Sequence, residues 1–149
     1  MNDFDDVAML LLIVVPLAGS LSMMFMPGGQ TKETWYFAIF IAAVSLALSL
    51  VIFLNYDYNQ GGFQYTVSYE WLPGPLDINL SLGLDGISAP MILLNGIVLL
   101  GGVLVSQTIN YRPREFFVLL FALAAGVYGV FVARDLFFLF FFYELAVLP

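Results

Sequence analysis

The chain has 149 residues, of which 62% are hydrophobic and only 10% charged, with a formal net charge of −7. An average soluble domain carries about a quarter charged residues, so this is the composition of an integral membrane protein. Four basic residues cannot build a phosphate-binding stripe, which argues against a nucleic-acid partner. With cysteine and histidine both absent, disulfides, thiolate metal sites, haem ligation by His, Cys/His iron–sulfur ligation and Ser-His or Cys-His nucleophile pairs are excluded.

The N-terminus, MNDFDDVAM, is acidic. A secretory signal needs a basic start, so the first apolar run is expected to be retained. A hydrocarbon core of ~30 Å takes about 20 apolar helical residues. Four stretches meet that length: about Val7–Met26, Trp35–Asn55, Gly86–Thr108 and Glu115–Ala133. Pro16 need not end the first, because neighbours in a membrane bundle can re-satisfy the freed carbonyl. A fifth run opens at Asp135 and reaches Pro149, rising only ~22 Å as a helix. The expected fold is an all-α polytopic membrane protein with about five helices, the fifth incomplete, and the chain reads as one that stops inside that helix. Three regions follow: helices one and two in residues 1–55, a loop in 56–85, and helices three to five in 86–149.

Within the loop the period changes. Phe63, Tyr65, Val67, Tyr69 and Trp71 alternate with polar residues, as do Leu76, Ile78, Leu80, Leu82 and Leu84. Two period-two runs joined by LPGP predict a β-hairpin with one face on the membrane domain; an irregular amphipathic loop is the alternative. Lys32 falls in the first connection and Arg112 and Arg114 in the third, while the N-terminus and the hairpin loop have no Lys or Arg. The positive-inside rule therefore puts the N-terminus and the hairpin on the non-cytoplasmic side. Arg134 votes the other way, with Asp135 beside it to offset its charge. Ala125, Gly129 and Ala133, and likewise Ala122 and Gly126, repeat at four-residue spacing on helix four, and Ser45 and Ser49 do so on helix two. Such small residues let helices approach closely in lipid. Asn95 is expected to make an interhelical hydrogen bond, and Asp85-Gly86 to cap helix three.

The candidate functional residue is Glu144, at the end of the phenylalanine-rich run FFLFFFYE. With Asp135 at the start of helix five, Glu144 lies ~14 Å along the axis, near the middle of a ~30 Å core. Desolvation favours the neutral form of a carboxylate and a nearby cation favours the charged form. A carboxylate balanced between the two can load and release a proton, and intramembrane ionisable residues are candidates for ion pathways. The competing reading is a structural Glu, neutral and hydrogen-bonded to a neighbouring helix. The phenylalanines are lipid-facing and packing bulk.

The segments LGLDGISAPMILL and YRPREFFVLLFALAAGVYGVFVARDLFFLFFFYELAVLP resemble the antiporter-like, proton-pumping membrane subunits of respiratory complex I, and most of all subunit M, or chain 4, of NADH-quinone oxidoreductase. The matching positions are Asp85, Gly86, Ile87 and Ser88, then Arg114, Glu115, Phe116 and Phe117, then Gly129, Val130, Phe131, Ala133, Asp135, Leu136, Phe137, Tyr143, Glu144 and Pro149. The likeness covers residues 82–149; residues 1–81 agree in layout alone. Tyr143 stands where Trp is commoner. The resemblance implies a larger subunit built of inverted helical repeats, in which Glu144 pairs with a lysine on a later helix and forms part of a proton channel driven by remote quinone chemistry. It implies other membrane subunits as partners, a bacterial plasma membrane or organelle inner membrane as location, and a parent complex using NADH, FMN, iron–sulfur clusters and quinone, with no redox chemistry in this chain. A sodium/proton antiporter subunit, a membrane-bound hydrogenase subunit and a structural membrane subunit remain as alternatives.

Overall fold

A computed structural model describes residues 3–27, 31–72, 74–76 and 78–149. The elements in chain order are α1 (Asp3–Met24), α2 (Thr31–Asn55), β1 (Gln64–Leu72), β2 (Ile78–Leu84), α3 (Ser88–Val105), α4 (Pro113–Val132) and α5 (Leu136–Val147), with a 3₁₀ turn at Ser106–Thr108 after α3. The first four helices are each long and apolar enough to cross a membrane, and α5 is shorter. Helices α1 and α2 begin earlier than their apolar runs. Asp3 and Asp6 fall in the first turn of α1, and Glu33 in that of α2, where carboxylates complement the helix dipole. Pro16 lies inside α1, which continues past it.

The hairpin forms as the alternation predicts, although Pro73 and Asp77 at its tip lie outside the described residues. The strands are antiparallel, with Val67 opposite Leu82 and Tyr69 opposite Leu80. The register slips between Gln64 and Val67, where Tyr65 takes a positive φ of 53°. An extra residue there breaks the simple two-face alternation. Val67, Leu82 and Leu84 are buried, whereas Tyr69 and Trp71 stay exposed although they continue the same alternation. The strands overhang the bundle, and only their inner half covers it. Trp71 instead reaches the start of α5, with its ring 5.6 Å from that of Phe138. Strand β2 also bridges to the end of α4, where the Arg134 N–H donates to the Ser81 carbonyl at 2.9 Å. The Arg134 guanidinium lies 4.4 Å over the Phe63 ring, so aromatic stacking is what holds this charge.

Helix α4 is the axis of the bundle, with α1 and α5 packed along it, while α2 packs chiefly on α3. The core divides in two. Towards the hairpin it joins Met9, Leu12, Tyr56, Leu82, Tyr128 and Phe142; at the opposite end it joins Met23, Ala42, Leu99, Val103 and Phe121. Because lipid tails are as apolar as these side chains, close packing and interhelical hydrogen bonds hold such helices together. The Ser20 hydroxyl donates to the Val118 carbonyl at 2.7 Å, joining α1 to α4.

Candidate functional site

Helix α5 begins where an aspartate can cap it. Asp135 Oδ1 accepts from the Phe137 N–H at 2.8 Å, and its carbonyl accepts from the Leu139 N–H. The helix then runs back along α4 on two glycines. A Cβ on Gly129 would stand 2.2 Å from the Phe142 ring, and one on Gly126 would stand 2.7 Å from the Ala146 backbone nitrogen. Neither space exists for any larger residue. The small-residue repeats therefore mark a real seam, and Gly126 and Gly129 carry it.

This seam fixes the depth of Glu144. The Leu145–Ala146 backbone rests on Gly126, which lies ~9 Å along α4 from its hairpin-side end at Val132. The carboxylate therefore belongs to the apolar span and not to either boundary. It also fixes direction. Phe138 and Phe142 face inward and are buried, while Glu144 is exposed on the opposite flank with Phe137, Phe140 and Phe141. Among the described residues, no hydrogen bond or ion pair engages the Glu144 carboxylate, and none of the basic side chains lies against it. A carboxylate on a bare apolar flank is costly in hydrocarbon unless protonated, paired or hydrated.

Among the described residues, Ser49, Tyr128 and Asn95 inside the span have partners, whereas Asp6 Oδ1 at the start of the first span is buried without one. The Ser49 hydroxyl and the Tyr128 hydroxyl lie 2.9 Å apart, and the Ser49 hydroxyl donates to the Ser45 carbonyl at 2.8 Å. With that proton so placed, the Tyr128 O–H is the donor to Ser49. Gly96 on α3 leaves room for this pair: a Cβ there would be 3.1 Å from both hydroxyl oxygens. The Asn95 amide donates to the Ala124 carbonyl at 3.3 Å, the interhelical bond its sequence position suggests. Tyr128 is the residue that a reading of motifs misses. A fully buried tyrosine inside an apolar span, between Gly126 and Gly129, signals a hydroxyl that needs a partner.

The two boundary aspartates are likewise occupied. Asp85 Oδ1 accepts from the N–H groups of Ile87 and Ser88, at 3.1 and 2.6 Å, and caps α3. The Ser88 N–H above all holds its carboxyl below the usual carboxylate range, against the opposing effect of desolvation. At the opposite end, Arg112 pairs with Glu115, and Arg114 donates to the Met26 carbonyl at 2.8 Å. No group of three or more metal-ligating side chains occurs among the described residues.

Four helices of membrane-spanning length, a shorter fifth helix and a capping hairpin define a polytopic membrane protein. The fold matches a chain of the membrane-bound sulfane sulfur reductase, an archaeal respiratory membrane complex, with a TM-score of 0.74 over 95% of this chain and 28% of that one, at 21% identity. No family model matches the chain. Its sequence is 33% identical, over 139 residues and 93% of its length, to NAD(P)H-quinone oxidoreductase chain 4 2 of Trichodesmium erythraeum. It is 35% identical to chain 4 3 of a Picosynechococcus species and 34% identical to chain 4 of Gloeobacter violaceus, over 93% of the chain in both cases. The chain is thus a homologue of NAD(P)H-quinone oxidoreductase chain 4, and it spans about a quarter of the length of these curated relatives.

Proposed function

We propose that this chain forms part of a proton-translocating membrane subunit in an NAD(P)H-quinone oxidoreductase-type complex. The likeness in sequence to the chain 4 subunits over nearly the whole chain carries the reading. Glu144 is the proton-carrying group in it. A cation brought near Glu144 by a neighbouring helix favours the carboxylate and releases a proton; withdrawal of that cation favours the neutral acid and takes one up. The apolar flank strengthens this coupling, because charge interactions are larger where the effective dielectric is low. A lysine on a further helix is the partner this reading requires. Electron transfer belongs to other subunits of the complex, since a chain without cysteine or histidine offers no ligand set for an iron–sulfur cluster. NADH, FMN and quinone are likewise assigned to the wider complex. The N-terminus and hairpin are placed on the non-cytoplasmic side, with Lys32, Arg112 and Arg114 on the cytoplasmic one.

The experiment is Glu144→Gln in the full-length subunit within its assembled complex. Proton pumping per electron falls while cofactor content and complex size stay unchanged. Unchanged pumping in that variant sinks the proposal. A second reading has its own observation in the likeness of fold to a sulfane sulfur reductase complex. One scaffold serves several functions, so a hydrogenase-like or sodium/proton antiporter complex is the alternative. Activity that needs sodium and ignores NADH would select it.

A further inference from the structure

The end of the bundle away from the hairpin holds a cavity of about 340 Å³ between the start of α2 and the segment after α3, lined by Lys32, Trp35, Tyr36, Gln107 and Asn110. This size falls within the ~300–1,000 Å³ of small-molecule sites. Among the described residues, its lining includes one cation and no carboxylate. Lys32 and Tyr36 stand one helical turn apart on the same face of α2, with Trp35 beside them. The indole N–H of Trp35 is already used: it donates to the Val103 carbonyl at 2.9 Å and pins one wall to α3. The neighbouring Gly102 carbonyl accepts from the Ser106 N–H and hydroxyl. These two carbonyls at the end of α3 are therefore engaged and do not repel an anion freely. The donors left to the cavity are the Lys32 ammonium, the Gln107 and Asn110 side-chain amides and the Tyr36 hydroxyl.

Lys32 differs from the two arginines at this end. Arg112 is held by Glu115, and Arg114 by the Met26 carbonyl, whereas Lys32 has no ion pair or hydrogen bond among the described residues. The candidate membrane span of α2 opens at Lys32 itself, so the cavity lies at headgroup level, where Trp and Tyr rings favour the interface. We infer that this cavity is a binding site for the phosphate of an anionic lipid headgroup, with Lys32 as the charge and Gln107 and Asn110 as amide donors. Its acyl chains run down the exposed flank of α2 and α3. This inference does not depend on the role of Glu144.

The test uses the purified chain in detergent micelles doped with equal amounts of phosphatidylglycerol and phosphatidylcholine, with retained lipid read by native mass spectrometry. Phosphatidylglycerol is retained in preference, and Lys32→Gln lowers its retention about five-fold, the scale of one basic residue at an anionic surface. Arg112→Gln leaves retention unchanged. Equal retention of the two lipids, no loss in Lys32→Gln, or an equal loss in Arg112→Gln would each overturn the site in favour of none or of diffuse surface charge. Displacement of the lipid by inorganic phosphate alone would overturn the lipid as the ligand. Circular dichroism checks folding, and Gln107→Leu with Asn110→Leu carries the same prediction should Lys32→Gln not fold.

Discussion

Two seams meet on α4, and they handle polarity in opposite ways. Between α2, α3 and α4, every polar group has a near partner: Ser49 with Tyr128 and Ser45, and Asn95 with Ala124. Between α4 and α5 the contact is dry, glycine against backbone and ring, and the Glu144 carboxylate on α5 faces away from it. A polar group closed on its neighbours contributes to a unique packing and has nothing left to exchange. A carboxylate left open on an apolar flank adds nothing to this chain's own packing, which is why its role is sought outside it.

The sharpest way to break this contrast is to spoil the dry seam. Gly129→Val puts methyl groups where the Phe142 ring sits, and overpacking of that kind costs about 3 kcal/mol. The folded fraction in an SDS titration should drop accordingly. Gly101→Ala on α3, where a Cβ meets nothing within 4 Å, should show no loss. A milder test lies at the boundary. Asp85→Ala removes a cap worth about 1 kcal/mol. The folded-state carboxyl of Asp85 is shifted below its ordinary value of 3.8, so its contribution is complete above that pH and fades as pH falls through the lowered value. Thermal unfolding of the wild type should therefore lose this increment on acidification, and Asp85→Ala should not. The smallest effect belongs to the closed set. Tyr128→Phe breaks an interhelical hydrogen bond worth ~0.6 kcal/mol in a membrane. It should lower stability slightly and leave proton pumping of the full complex intact; a pumping defect would move Tyr128 from packing to function.

The helices were legible because twenty apolar residues have few other destinations in water or lipid. The hairpin was legible because its period is two and not 3.6. Its overhang was not, since nothing local in Tyr69 or Trp71 says that the bundle ends beneath Val67. The slip at Tyr65 was hidden for the same reason: a bulge is set by what the strand must cover. Asp85 and Asn95 behave as their positions suggest. The Ser49–Tyr128 pair escaped because it joins two helices far apart in sequence, and only their packing reveals that the hydroxyls meet. Glu144 stood out through its chemistry in an apolar run, and the glycines of α4 set its depth.

The most direct measurement is the proton-to-electron ratio of the full-length complex in sealed proteoliposomes, wild type beside Glu144→Gln. With Glu144 as the proton carrier, the variant assembles with its normal cofactor content and pumps far fewer protons per electron. A wild-type ratio, with or without weaker assembly, would contradict that role and make Glu144 a packing residue.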